Sequence, residues 1–512
     1  MQIVRLGLVL LVSSIVCSTG MAQRGNPAVA YAGQAVDAMI AEFMAEHDVA
    51  GLTLAIVQAP YISRVVGYGI ADPGRRLLAS SNTLFRIGQM TDAYTAVAVM
   101  QLVEAGRIGL DDPVGQHLAA LPEQWRSVTV RQLLQHQSGL PDYRLGAGAD
   151  VARAETAGAL LAPFAASAPA FEPGTRVAMS ATDYLLLQWL VEKATGESYE
   201  AFVRREQFER LGLEQTFFAG ELEGLHRERL AESERHRLFL EDPRLINPTE
   251  PAVGRGAAPL NPRLLPERAA IYASAMDVSV WDIGLAGGIL IKDTALRRVL
   301  YQPATLKTGG RVPTSGAWEF PGHPGLMVVT GSEAGFSSLL SRFTDPKELV
   351  CVTLLANKEG LDLTQLARRI AGAYDPAIGP PASTAEQRVQ QSPFSVAETM
   401  ARLEQALRVQ GATIMARIDH AAGAASVGQT LAPTEEIIFG NPAAGTPLMQ
   451  ANPAVALDLP LRAVAWQMGG EVWLAAVDPV RIAARHGLAG ERARALQMRA
   501  AVDRALRAAV AP

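Results

Sequence analysis

Apolar and polar positions alternate along this chain in stretches whose period changes from helical to strand-like and back. Residues 34–47 repeat their apolar positions every three to four residues and predict an amphipathic helix. Two runs, GLTLAIVQ and ISRVVGYGI, then predict strands. The stretch 84–114, LFRIGQMTDAYTAVAVMQLVEAGRIGLDDPV, predicts a turn and then a helix apolar nearly all round: Ala93, Ala96, Val97, Val99, Met100, Leu102 and Val103. Gly106 ends it, and Asp111, Asp112 and Pro113 open the next turn. A helix without a polar face belongs in a core. A helical, loop-rich middle runs to about residue 285. Strands return at 326–330, 335–343 and 349–355, with a turn at Asp345-Pro346, and a helix over 363–373 closes the region. Strands at both ends of the sequence with helices between them predict one sheet built from both ends, carrying a helical insert.

The stretch beginning PAIGPPASTAEQRVQQSP has no core pattern, and residues 376–391 are read as a linker. It separates a first domain, 27–375, from a second, 392–512. The second opens with the capping box Ser395–Glu398 on a helix whose Val396, Met400, Leu403 and Leu407 share one face. Strand-like runs follow at ATIMARI, EEIIFG and LRAVAWQM/EVWLAAV, the last pair joined through Gly469-Gly470, and a long Ala/Arg-rich helix ends the chain. The whole reads as a small α+β unit.

Composition narrows the class. Of the 512 residues 49% are hydrophobic and 19% charged, with a net charge of −5 and no long basic run, which excludes a disordered chain and argues against a nucleic-acid partner. Residues 1–22 read as a signal peptide: Arg5, the apolar LGLVLLVSSIVC, then Gly20-Met21-Ala22 with small residues at −3 and −1 of a cleavage point. Cys17 follows Val16, a poor fit to lipoprotein processing. The expectation is therefore an exported protein, periplasmic or secreted, with no integral membrane segment after cleavage. Cys351 is then the remaining cysteine, in LVCVTLLAN, and is read as a small core residue.

Six strings in order carry a resemblance: LFRIGQMT, GRIGLDDPV, VRQLLQHQSGLPDY, FEPGT, YLLLQWLVEKATGESY and TGSEAGFSSLL. On these, roughly residues 30–375 resemble the serine β-lactamase and penicillin-binding-protein superfamily, in its class C and esterase branch. The resemblance implies an α+β fold, an antiparallel sheet with flanking helices and a helical subdomain. It also implies a Ser-x-x-Lys pair on the first turn of the nucleophile helix, where the Ser N–H supplies half of an oxyanion hole. Here Gln89 stands at the Ser position and Asp92 at the Lys position. An amide cannot attack a carbonyl, and the second change reverses a charge. The family's Tyr motif corresponds to Met179-Ser180-Ala181, and its basic strand residue, before Thr330-Gly331, to Val329. The five lysines (193, 292, 307, 347, 358) have no Ser three residues earlier, so no shifted pair exists. Lys307-Thr308-Gly309 and His323-Pro324-Gly325 imitate the third motif but are read as turns.

These positions are therefore vestigial, and no catalytic residue is assigned. An acidic Asp92 in a first helical turn complements the helix dipole by about 0.3–1 kcal/mol, which reads as a site relaxed into scaffold. Thr91, Asp92, Ser180, Thr330, Ser332 and Glu333 are the candidate lining of the old cleft. Asp92 and Glu333 are the pair able to do acid–base work or hold a cation, although charged rim residues are far commoner. His136 is read as a packing histidine. His47, His117, His226 and His236 show no ligand spacing, so neither metal nor cofactor is expected.

The strings SPFSVAETMARLEQAL, ARIDHAAGA, PTEEIIFGNPAAGTPLMQ, ALDLPLRAVAW and DPVRIAARHGL make residues 392–486 resemble the family called domain of unknown function 302, which implies a fold and no activity. Asp419 and His420 at a strand end, with Asn441, Thr446 and Gln450 around a Gly/Pro-rich loop, form its candidate site. The commoner role of such residues is as caps and turn formers. The function expected is binding or scaffolding in the cell envelope, with an unknown small molecule or envelope component as partner. Two alternatives stay open: a hydrolase with a non-standard residue set, and a small-ligand module centred on the second domain.

Overall fold

A computed structural model describes residues 29–59, 61–72, 77–145, 154–221, 264–321, 323, 325–333, 335–343, 349–380, 387–468 and 470–511. The signal-peptide reading, the Asp345-Pro346 turn, His226, His236, Pro324 and Gly469 lie outside them.

The first domain is built on strands from both ends of its sequence, as the pattern predicts. Helix α1 (Val36–Glu46) precedes β1 (Gly51–Gln58) and β2 (Tyr61–Asp72); helices α2 (Thr91–Glu104), α3 (Ala181–Thr195) and α4 (Ala275–Ala286) follow. The chain returns to the sheet through β3 (Leu326–Glu333), β4 (Phe336–Phe343) and β5 (Val350–Ala356), and α5 (Thr364–Tyr374) closes the unit. The long strands lie in the order β2-β1-β5-β4-β3, all antiparallel, with two-residue strands at both edges. Strand periodicity sorts side chains between two cores. Met327, Val329, Phe336 and Leu355 face the cluster that holds α2, α3 and α4. Leu326, Val328, Leu339 and Leu354 face the cluster that holds α1 and α5. Helix α2 lacks a polar face because Ala93 through Leu102 are all buried; of its polar groups, Thr95 pairs with the Tyr199 hydroxyl at 2.8 Å and Gln101 with the Leu290 carbonyl at 3.1 Å, while the Tyr94 hydroxyl has no partner within the protein.

The second domain is a five-stranded antiparallel sheet. Its elements are β6 (Gln387–Ser392), α6 (Val396–Val409), β7 (Thr413–Asp419), α7 (His420–Ser426), β8 (Thr434–Gly440), α8 (Pro442–Ala451), β9 (Leu461–Met468), β10 (Glu471–Val477), α9 (Pro479–Arg485) and α10 (Arg492–Val510). The strand order is β6-β10-β9-β8-β7, and α6 and α10 bury their apolar faces on one core. One boundary differs from expectation. Residues 387–391, read as linker, form most of edge strand β6, paired with β10. QRVQQS lacks a core pattern because an edge strand keeps polar side chains at little cost.

Arg368 of α5, 2% exposed, spans the two domains. It meets Glu471 of β10 at 3.3 and 3.4 Å, and its guanidinium lies over the rings of Phe343 and Trp473. Arg388–Glu46 (3.3 Å) and Arg481–Glu42 (2.8 Å) add ion pairs around it.

Candidate functional site

The cleft forms where the turn Gly88–Met90 enters α2 and is pressed against β3. That approach requires Gly331: a Cβ there would stand 2.1 Å from the Ile87 carbonyl and 3.1 Å from the Gln89 nitrogen. Ser338 of β4 donates to the same Ile87 carbonyl at 2.8 Å. In this corner the Gln89 side chain folds onto the strand, its Oε1 accepting the Ser332 backbone N–H at 2.7 Å.

Two cavities open from Gln89, Asp92 and Met179. The outer, about 580 Å³, is lined by Thr330, Ser332, Glu319 and Asp362 among others. There Thr330 donates to Glu319 at 3.4 Å, and the Ser332 hydroxyl accepts from Gly360 N–H at 2.8 Å. The inner, about 290 Å³, is lined by Thr91, Ser180, Ala181, Glu333, His136, Tyr143, Arg144 and Gln188 among others. The structure thus gathers Gln89, Thr91, Asp92, Met179, Ser180, Ala181, Thr330, Ser332 and Glu333 along one cleft. Val329 is buried in the core beneath it and lines neither cavity. The two decoys are turns: Lys307 sits on an exposed loop paired with Glu172 at 3.2 Å, and the His323 carbonyl accepts the Leu326 N–H at 3.0 Å.

The site is not relaxed into scaffold. Asp92 makes no hydrogen bond among the described residues. Burial pushes its carboxyl up to about 6, with Glu333 and Asp183 adding and His136 and Arg144 opposing. Desolvation therefore outweighs the helix-dipole benefit expected at this position. His136 is only half a packing residue. Its Nδ1 lies 2.9 Å from Asp183 Oδ2, while its Nε2 is buried without a partner. Its backbone is left-handed (φ 53), uncommon outside glycine. The Ser180 hydroxyl and the Gln188 carbonyl oxygen are likewise buried and unpartnered within the protein, and both residues line the inner cavity. Three orphaned polar atoms on residues that line one cavity are costly, and such groups are normally satisfied by water or ligand.

Charge around the cleft is predominantly acidic. Asp92, Asp142, Glu267 and Glu333 line the inner cavity, and Glu319 and Asp362 the outer. Arg86 bridges Glu267 and Glu333 at 3.2 and 3.3 Å from behind. Arg144 is the one Arg or Lys among the described lining residues, and its guanidinium lies 5.9 Å from the Tyr143 ring centre. Burial pushes the Tyr143 phenol up to about 12 against the pull of Arg144, so it stays protonated at neutral pH.

Sequence reasoning missed Arg86, Tyr143, Arg144, Asp183, Gln188 and Glu267. Arg86 and Tyr143 stand inside quoted strings, and Arg144 directly follows one. Gln188 carried a readable signal, because a polar residue one turn after Tyr184 on an otherwise buried helix face is out of pattern.

In the second domain the candidate residues do not converge. Asp419 caps α7 by accepting the Ala422 N–H at 2.9 Å, and His420 meets Glu436 at 3.4 Å rather than Asp419. Asn441 caps α8 through Ala443 N–H at 2.9 Å and donates to the Gly411 carbonyl at 3.2 Å. Asn441 and Thr446 line a cavity that Asp419, His420 and Gln450 do not reach.

The fold and the cleft define a β-lactamase and penicillin-binding-protein-like domain joined to a small α+β module. The Beta-lactamase family model matches residues 36–375, about two thirds of the chain, and the chain belongs to that family. The model for domain of unknown function DUF302 matches residues 387–509. Among curated proteins, Beta-lactamase of Pseudomonas fluorescens is 27% identical over 190 residues, covering 36% of this chain and 51% of that protein. Penicillin-binding protein 4 of Amycolatopsis lactamdurans is 33% identical over 177 residues, 33% of this chain and 45% of that one. Fluoride-specific ion channel FluC 1 of Brucella suis is 50% identical over 99 residues, 19% of this chain and 39% of that protein. The chain thus spans about half or less of the length of these relatives. The octameric penicillin-binding protein homologue from Pyrococcus abyssi superposes with a TM-score of 0.55 at 19% identity, over 86% of this chain and 89% of that one. A class C beta-lactamase does so with 0.52 at 18% identity, over 65% and 94%. At these identities the likeness is one of fold. No helix among the described residues is long and apolar enough to cross a membrane.

Proposed function

We propose that this is an exported, non-catalytic member of its family that binds a small molecule or envelope component in the old cleft. One observation carries the reading: the Gln89 amide oxygen occupies the Ser332 N–H at 2.7 Å. A backbone donor beside the nucleophile position is what an acyl-transfer site keeps free for a developing oxyanion. Here the residue in place of the nucleophile consumes it. The acid at position 92 and the methionine at 179 leave neither the family's lysine nor its phenol in place. The orphaned atoms of the inner cavity support binding over mere decay, because a vacated site with no ligand has no reason to retain them. The signal-like first 22 residues support export. Incubating the mature chain with nitrocefin, p-nitrophenyl acetate and a fluorescent penicillin tests this; turnover at background and no label are expected. A covalent adduct on any Ser or Thr of the first domain overturns it.

A second reading has its own observation. His136, oriented by Asp183, shares the inner cavity with the Ser180 hydroxyl, the residue types of a hydrolytic triad. A fluorophosphonate adduct mapped to Ser180 and lost in His136→Gln would favour it over binding alone.

A further inference from the structure

A cavity of about 490 Å³ in the second domain is independent of the cleft and not yet assigned a role. That volume lies within the range of small-molecule sites. Its walls come from four directions: Leu407 of α6, Phe439 of β8, the first turns of α8, and Met498 and Val502 of α10. The space exists because small residues face it, among them Ala443, Ala444, Gly445 and Ala501. Larger side chains there would close it, as cores ordinarily do. Met415, Met449 and Met498 supply adaptable apolar surface, and Met415 is 55% exposed at the rim.

Charge in this cavity is one-sided. Arg494 is the one ionisable residue lining it. Its partner, Glu491 at 3.0 Å, sits three residues back on the same surface, a solvated pair that is readily given up. The amino end of α8, residues 442–446, lines the same cavity and adds a positive pole. Its first free N–H group, that of Ala443, is capped by the Asn441 side chain, and the next two, of Ala444 and Gly445, both donate to the Asn441 carbonyl. The helix end therefore contributes field rather than a hydrogen-bonded anion seat.

We propose that the second domain binds a medium-chain amphiphile bearing a single carboxylate, its apolar body in the cavity and its carboxylate at Arg494. The apolar walls set the body, and the Arg494–α8 field sets the sign of the head group.

Calorimetry on the full chain with decanoate, decanamide and decyltrimethylammonium, all below their micellar concentrations, tests the proposal. Decanoate should bind one to one, and at least tenfold more tightly than decyltrimethylammonium. Arg494→Gln should weaken decanoate about tenfold and leave decanamide unchanged. Ala501→Phe, which fills the cavity, should abolish binding of both; Ala444→Leu is the second filling variant, with thermal unfolding confirming that each is folded. Hydrogen exchange should slow in α8 and α10 on adding decanoate. Absence of binding, equal affinity for the cation, or binding that survives in a folded cavity-filled variant each overturns the proposal. A failure here leaves the reading of the cleft untouched, because its probes act on the first domain.

Discussion

Replacing Asp92 by Asn should stabilise the first domain at neutral pH and do nothing at acid pH. Asp92 is half-buried in the cleft with no side-chain hydrogen-bond partner among the described residues, and burial pushes its carboxyl from 3.8 up to about 6. A group whose native pKa lies above its unfolded value binds protons more readily in the folded state, so stability falls as pH rises between the two values. Below pH 3.8 both states carry the proton and the residue costs nothing. Above about pH 6.5 both states have lost it, and the native state holds an uncompensated anion. At about 1.4 kcal/mol per tenfold change, the cost at pH 7.5 is about 3 kcal/mol, an upper figure because the carboxylate still touches cleft water. Asn keeps the volume and removes the charge. Urea unfolding of wild type and Asp92→Asn at intervals from pH 4 to 8 should therefore give curves that coincide near pH 4 and separate through pH 5–6. They should then stay apart by as much as about 3 kcal/mol, with the variant the more stable. A difference independent of pH, or a variant less stable at pH 7.5, would refute the reasoning. It would mean that the helix-dipole benefit of about 0.3–1 kcal/mol outweighs desolvation after all.

Gln89→Ser alone should show no burst with an activated ester, because Asp92, Met179 and Val329 remain where the family's machinery would be, and residues that act as a unit do not contribute singly. Amide-ended stem peptides should bind the cleft more tightly than acid-ended ones by calorimetry at pH 7.5. Bringing a carboxylate to 4 Å from an ionised Asp92 costs about 1–4 kcal/mol, and the preference should shrink at pH 5 as Asp92 takes up its proton. Tighter binding of the acid form would assign the dominant charge to Arg144. Glu471→Ala should destabilise the chain by about 3–5 kcal/mol, since it strands the buried Arg368 guanidinium between the domains; an unchanged unfolding midpoint would place that pair outside the stability of the fold.

The fold was legible where periodicity was strong. Central strands such as β1 and β5 carry apolar runs interrupted only by a buried threonine, and α2 shows its burial by lacking a polar face. Edge strand β6 was not legible, because an edge is written in polar residues that read as linker. In the site, motif spacing located Gln89, Asp92 and Ser180, since a turn entering a helix is a local feature. The partners these residues meet were hidden for the opposite reason. Ser332 lies 243 residues from Gln89, and Asp183 lies 47 from His136. Contacts of that separation are made by the sheet and by the packing of the 130–138 segment on α3, and neither leaves a periodic trace in the chain. His136 illustrates the limit: its loop position was readable, but only the fold reveals that one ring nitrogen is satisfied and the other is not.

That half-satisfied histidine bears on why the cleft persists at all. If loss of catalysis had simply released the site, substitutions that neutralise Asp92 or remove the orphaned Ser180 and Gln188 groups would be stabilising and easy to reach, because proteins accumulate such changes where function does not oppose them. Instead three unpartnered polar atoms belong to residues lining one cavity of about 290 Å³, while one of the donors that a transition state would use, the Ser332 N–H, is taken up by Gln89. Catalysis and binding draw on different atoms of the same cleft: the first needs a free donor at the strand edge, the second needs unpaired groups in the pocket behind it. In the proposed reading the chain has closed the former and kept the latter. On the reading proposed above, that separation is what a binding site descended from an acyl-transfer fold requires, and the ligand's polar contacts would fall at His136, Ser180 and Gln188 rather than at position 89.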